Sequence, residues 1–373
     1  MLVEGAILDA EGARPSYVRI EHGIVVETGA IGTDSTRGKE RKIRGIVTPS
    51  PVNGHTHLGD AISTREPPNV SFSELVSPPS GYKFRLLSES KPGAKRRAMR
   101  AALDRMRHEG IAGTIDFREE GEPGVRELRR AAEGAGVRVV ILGRPVGQPR
   151  ESAEIERILE VADGIGISSA REESAEVRHE AAAVCRTKRK FYALHASEEI
   201  REPPEVYLDP RPDLIVHLTR AEPSDLEQVR DAGTSIAVCP RSNALFGRRP
   251  LLGAMEKVGN RVLVGTDNAM LQSPSIWREL EFAYITSRLH HEPASAMFLA
   301  RAALVEPWRW LGEEERGHLI AGGPAVPLVF RLPPEDPAYQ IVTRATEHLM
   351  VQPARRVAPV PESESIGEPP NEE

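Results

Sequence analysis

The chain has 373 residues, 39% hydrophobic and 28% charged, with 49 Lys and Arg against 55 Asp and Glu. This globular composition suits one large domain or two unequal ones, and it holds no apolar run approaching the ~18 residues of a membrane span. The net charge of −6 sits mostly in residues 357–373, which carry five Glu and no Lys, Arg or Asp, so the near-neutral remainder gives no support for a nucleic-acid footprint.

In chain order, the opening Met1-Leu2-Val3-Glu4-Gly5 lacks the basic-then-apolar shape of a secretion signal. Met1–Leu8, Tyr17–Glu21 and Ile24–Glu27 read as short strands, with Gly23 at a tight hairpin. From residue 45 the rhythm changes. Short apolar runs at Gly45–Val52, Gly110–Phe117, Val137–Leu142, Gly164–Ser168, Phe191–His195, Leu214–Leu218, Thr234–Cys239 and Arg261–Gly265 follow one another. Between them, Ala94–His108, Gly124–Gly134, Ala175–Thr187 and Pro223–Ala232 carry helical spacing and helix formers. Eight strands with helical crossovers predict an α/β fold of the closed (β/α)8 type. An open doubly wound sheet is the rival, but no GxGxxG follows the first run.

Residues 58–93, rich in Pro and Ser, read as a loop above the barrel mouth. Ser275–Leu289 and Ala294–Leu304 read as helices, and strands return at Val326–Leu332 and Gln340–Val351. The late strands are expected to join the N-terminal ones in a small discontinuous β-sandwich domain, residues 1–47 and 321–352, around a barrel domain at 48–320. Residues 353–373, with repeated Pro and Glu, are expected to be disordered. Two cysteines, Cys185 and Cys239, exclude a disulfide scaffold and fit a reducing cytoplasm. Cys239 reads as a small buried apolar residue.

His55-Thr56-His57 ends the first barrel run, and residues i and i+2 of a strand face one side, so both imidazoles can enter the mouth and share a metal. His195 closes the fifth run, His217 lies near the end of the sixth, and Asp267 follows the eighth. The C-terminal ends of barrel strands converge on one pocket, so these five residues from distant stretches can meet there. Arg118, Arg144 and Arg241 follow the second, third and seventh runs. Placed on the rim, they would offer bidentate recognition of an anionic substrate group; pairing with Asp116, Glu119 or Asp163 is the structural alternative. Asn243, in the turn after the seventh run, is a further candidate substrate contact.

With Thr48-Pro49, Asn53-Gly54-His55-Thr56-His57, His195-Ala196-Ser197-Glu198, His217, Cys239-Pro240-Arg241-Ser242-Asn243 and Gly265-Thr266-Asp267 in this order, the chain resembles the amidohydrolase superfamily. It is most similar to the branch of metal-dependent deaminases and chlorohydrolases that includes cytosine, guanine and S-adenosylhomocysteine deaminases. The resemblance implies that His55, His57, His195 and Asp267 hold one divalent metal, Zn²⁺ or alternatively Fe²⁺. The fourth run lacks the bridging lysine of binuclear members. It also implies that Asp267 takes a proton from water, that Glu198 shuttles protons to the ring and the leaving amine, and that His217 orients the nucleophile or polarises the substrate. The expected activity is hydrolytic deamination of a small amino-substituted heterocycle, possessing an anionic group if the arginines face it. Hydrolysis of a cyclic amide or chloro-substituted ring at the same site is the alternative, and a ligand-binding barrel without activity is the non-enzyme rival. Neither nucleic acid nor membrane is an expected partner; a homo-oligomer is common in such families.

Overall fold

The computed structural model describes residues 1–33, 42–77, 80–146, 152–171 and 173–350. The expectation for residues 353–373 lies outside them. Six strands from both chain ends form one sheet: β1 (Leu2–Asp9), β2 (Gly12–Glu21), β3 (Ile24–Gly29), β4 (Lys42–Pro49) and, from the far end, the short strands Pro327–Phe330 and Leu349–Met350. β2 and β3 turn at His22-Gly23, both with positive φ (50° and 77°), the backbone that a tight two-residue hairpin requires. β1 and β4 pair in parallel, and β4 pairs antiparallel with Pro327–Phe330. Val3, Ile7, Val18, Val47, Leu319 and Val329 form this sheet's own apolar cluster.

Nine strands make the second sheet: β5 (Val52–His57), β6 (Gly113–Arg118), β7 (Arg138–Gly143), β8 (Gly164–Ile167), β9 (Phe191–Ala196), β10 (Leu214–His217), β11 (Ser235–Val238), β12 (Val262–Val264) and β13 (Asp267–Asn268). Each of β5 to β12 is parallel to the next. β13, three residues past β12, returns to pair with β5 and closes the (β/α)8 barrel. In chain order, the two remaining strands are β14 (Pro327–Phe330) and β15 (Leu349–Met350).

Val52, Ile115, Val140, Ala193, Val216, Ala237, Cys239 and Leu263 fill the barrel. Trp308 seals its N-terminal end, donating its indole N–H to Ser50 O at 3.0 Å. Outside, helices such as Pro92–His108, Gly121–Ala132 and Ser152–Val161 bury Leu103, Met106, Val125, Leu128, Ile155 and Ile158 against the strands. Burial on both strand faces explains why these strands read as continuous apolar runs rather than alternating ones.

Three expectations are corrected. The run Gly45–Val52 is not one barrel strand: β4 ends at Pro49 and β5 starts at Val52. Pro49 and Pro51 lack the N–H that a continuous ladder needs, so the chain changes sheets there. Residues 58–93 are not simply a loop but hold a 3-10 turn, Leu58–Ile62, and short helices at Phe72–Val76 and Tyr82–Glu89. A capping box between Ser71 and Glu74 starts the first of these helices. Gln340–His348 belongs to a helix, Pro337–His348, with only Leu349–Met350 in the sheet. Proline at its first position and buried Ile341, Val342 and Ala345 at helical spacing outweigh the β-branched content.

Candidate active site

β5 delivers His55 and His57 to one face of the barrel mouth, and β9 and the β12–β13 corner bring His195 and Asp267 against them. His55 Nε2 lies 3.3 Å from His195 Nε2 and 3.4 Å from Asp267 Oδ1, which is 3.5 Å from His57 Nε2. Those three contacts match the spacing of about 3.3–3.4 Å between tetrahedral donors with bonds of about 2.0–2.1 Å; His55, His57 and Asp267 gather as one group able to hold a cation, and His55, His195 and His217 as a second. The protons of two of the imidazoles are committed elsewhere. His195 Nδ1 faces Ile167 O at 2.9 Å, and His57 Nδ1 faces Phe117 O at 3.1 Å and Glu119 Oε1 at 2.8 Å. In the neutral rings this leaves Nε2 as the acceptor. Burial lowers the pKa of His55 to about 4 and that of His195 well below its ordinary value, which keeps both rings neutral, the form that binds a cation. The corner must pass close to β5: a Cβ on Gly265 would stand 2.5 Å from His55 N.

Asp267 is buried, which pushes its carboxyl up, but the His55 contact and the imidazoles around it hold it well below the carboxylate range. Ser242 Oγ donates to Asp267 Oδ2. His217 ends β10 with φ of 82°, and Ser197 and Asp267 also lie at positive φ, 48° and 61°. Three strained non-glycine residues at one rim are a mark of a functional site. The Asn243 side-chain nitrogen is 3.2 Å from His217 Nδ1, which leaves the ring proton on Nε2, 3.4 Å from Glu198 Oε2. Burial lowers the pKa of His217 to about 3, so this ring is neutral as well. Burial and then the Asp267 charge raise Glu198 to about 8, so that its carboxyl is protonated at neutral pH.

These groups open onto a cavity of about 330 Å³. Its wall over β6 to β8 adds Lys83, Glu119, Arg144 and Arg171, and Phe72, Phe84 and Phe246 roof it. Lys83, on the helix Tyr82–Glu89, is buried with its ammonium 2.6 Å from Glu119 Oε1 and 3.1 Å from Asp60 Oδ2. Burial pushes Glu119 up, yet Lys83, His57 and Arg118 together hold it well below the carboxylate range.

Of the arginines expected at the rim, Arg144 lines the cavity, its guanidinium 5.2 Å from the Phe84 ring. Arg118 does not. It is 1% exposed inside the barrel wall, bonded to Glu119 and 3.7 Å from Asp116, and a Cβ on Gly59 would stand 2.2 Å from its guanidinium. Arg241 turns outward instead, donating to Glu279 Oε1 at 2.6 Å and Ser273 O at 2.7 Å. Asn243 is buried behind His217 rather than in the cavity wall. Sequence reasoning missed Lys83, Arg171, Arg248 and the role of Glu119. Only Glu119 carried a signal, as a carboxylate just past the second barrel strand.

Residues 46–344 match the family described as the amidohydrolase family. The chain belongs to that family. Like its members it is a hydrolase of carbon–nitrogen bonds other than peptide bonds. A Methanothermobacter thermautotrophicus protein, provisionally named an aminohydrolase, is 35% identical over 290 residues, covering 72% of this chain and 75% of that protein. The fold is shared with a zinc-bound adenosine deaminase of Xanthomonas campestris, at a TM-score of 0.74 and 16% identity over 91% of this chain and 88% of that one. It is also shared with a guanine deaminase of C. acetobutylicum with guanine in its active site, at 0.73 and 14% over 94% and 97%. This amidohydrolase thus carries a buried His/Asp cluster suited to a divalent cation, and among its described residues no helix is long and apolar enough to cross a membrane.

Proposed function

We propose that this amidohydrolase deaminates an amino-substituted heterocycle by hydrolysis, with one divalent cation, zinc, held by His55, His57, His195 and Asp267. The observation that carries the reading is the placement of two carboxyls at one cavity, Asp267 within 3.5 Å of His55 and His57 and Glu198 3.4 Å from His217. Asp267 is held ionised while Glu198 is raised to about 8, a separation that assigns base and acid. An ion bound in this cluster supplies Lewis acidity that makes water a nucleophile near neutral pH. Asp267 accepts the proton of the attacking water. Glu198 gives its proton to the ring nitrogen beside the reacting carbon and recovers one from the hydroxyl of the tetrahedral adduct, while Asp267 passes the water's proton on to the exocyclic amine. His217 donates its Nε2 proton to the negative charge that develops on oxygen. A carbon–oxygen bond forms, the carbon–nitrogen bond to the amine breaks, and ammonia leaves.

Arg144 and Arg171, on the opposite side of the mouth from Asp267 in strand order, support an anionic group at the far end of the substrate. Two free, buried cysteines accord with a reducing cytoplasm. The test is metal content by mass spectrometry on protein purified without added metal, with ammonia release from cytosine, guanine, adenosine and S-adenosylhomocysteine. One zinc per chain and ammonia from one compound class are expected. Metal without ammonia, but with ring opening of a cyclic amide, would replace deamination by amide hydrolysis.

A further inference from the structure

Arg248 is 7% exposed and takes no part in the cavity wall, yet it touches both the proton-carrying glutamate and the roof. Its Nη1 lies 3.3 Å from Glu198 Oε1 and its Nη2 3.2 Å from Glu199 Oε1. The guanidinium face lies 4.0 Å from the centre of the Phe72 ring and 5.6 Å from that of Phe246, and the two rings meet edge to face at 4.9 Å. Phe72 opens the short helix Phe72–Val76 in the segment above the mouth. Arg248 N–H in turn donates to Asn243 O at 2.9 Å, so the turn that steadies His217 also anchors this guanidinium.

We propose that Arg248 is a positioning residue that couples the roof segment 71–77 to Glu198. A carboxyl on a flexible stem can rotate about its last bonds. Tying Oε1 to Arg248 leaves Oε2 facing His217 and the cavity, where a proton must be passed. The Phe72 ring covers the guanidinium, so water is kept from the ion pair only while segment 71–77 is seated, and a cation under an aromatic ring is held more firmly when so desolvated. The charged and titratable groups facing Glu198 are Arg248, Glu199, Asp267 and His217. The coupling is reciprocal: what disturbs Glu198 must loosen segment 71–77, and what unseats the segment must displace Glu198.

This inference rests on the proton-transfer role given to Glu198 above, and its test separates the two. Hydrogen exchange across residues 71–77 is measured in the zinc-loaded full chain without substrate, for wild type, Arg248→Gln, Arg248→Lys, Phe72→Leu and Glu198→Gln. Steady-state kinetics follow on whichever of the four amines releases ammonia. Arg248→Gln is expected to speed exchange at 71–77 at least about tenfold, and Glu198→Gln to speed it severalfold although Glu198 lies outside that segment. kcat is expected to fall about 10²-fold in Arg248→Gln with KM within about twofold, and Arg248→Lys to recover part of the loss. Unchanged exchange in both Arg248→Gln and Glu198→Gln overturns the coupling, as does a raised KM with kcat intact. Should Arg248→Gln fail to fold, the near-isosteric Glu198→Gln and Phe72→Leu decide by exchange alone. No ammonia from any compound would undo the deaminase reading and leave exchange to judge the coupling.

Discussion

Glu119 and Glu198 both follow a barrel strand and both reach the same cavity, β6 carrying the first and β9 the second. Glu119 sits among Lys83, Arg118 and His57 and is held ionised, whereas Glu198 has one cation at 3.3 Å and a second carboxylate nearby, and keeps its proton to about 8. The difference lies in the neighbours rather than in the residue type. A carboxylate matched by several buried cations becomes part of the scaffold, orienting His57 and pinning the helix of Lys83. One that is under-matched becomes a proton store.

The sharpest way to break this comparison is to remove the groups that both glutamates serve. Asp267→Ala is expected to lower activity at least about 10³-fold and to strip bound zinc, read by metal analysis and ammonia release. Glu198→Gln is expected to cost about 10²–10⁴ in kcat with zinc content unchanged; a loss of zinc would make Glu198 structural, like Glu119. Glu119→Gln should weaken zinc about 10–100-fold through His57. It should also destabilise the fold by up to about 3 kcal/mol, because Lys83 and Arg118 lose their shared carboxylate and keep only Asp60 and Asp116; chemical denaturation checks this. Arg118→Met carries a similar stability cost with KM unaltered, since the side chain never meets the cavity. The smallest effect is on pH. Glu198 acts as an acid, so kcat/KM falls as pH rises through about 8, and Glu198→Gln removes that limb. Because its folded pKa is raised above the ordinary 4.5, the stability this proton contributes is fully present below about 4.5 and is lost as pH climbs through about 8.

What the sequence made legible follows the same division. His55, His57, His195, His217 and Asp267 end strongly apolar runs, and strand periodicity together with barrel geometry brings them to one rim. Lys83 hides in a Pro- and Ser-rich stretch whose two short helices leave little periodic signal, and its partners, Glu119 and Asp60, lie 36 and 23 positions away. The arginines show the limit of placement alone. Arg118 and Arg144 both follow strands, but the first meets Glu119 and Asp116 in the wall and the second faces the cavity. Local sequence does not say which direction a long side chain takes. At 340–348, β-branched residues suggested a strand, and packing of Ile341, Val342 and Ala345 made a helix.

The seam between β5 and β13 joins the barrel's first strand to its last. Thr56 pairs with Asp267 and His57 with Asn268, while Asn53 bonds Thr266 through both its amide nitrogen and its oxygen. Two of the four residues proposed to hold the cation, His55 and Asp267, therefore stand on opposite lips of this seam, more than two hundred positions apart in the chain. During synthesis the first lip exists long before the second, and no complete nest for an ion exists until the emerging polypeptide has delivered its final barrel strand. On the proposed assignment, loading with metal waits for the last barrel strand. An ion held as proposed would bridge the first-formed edge of the barrel to the last.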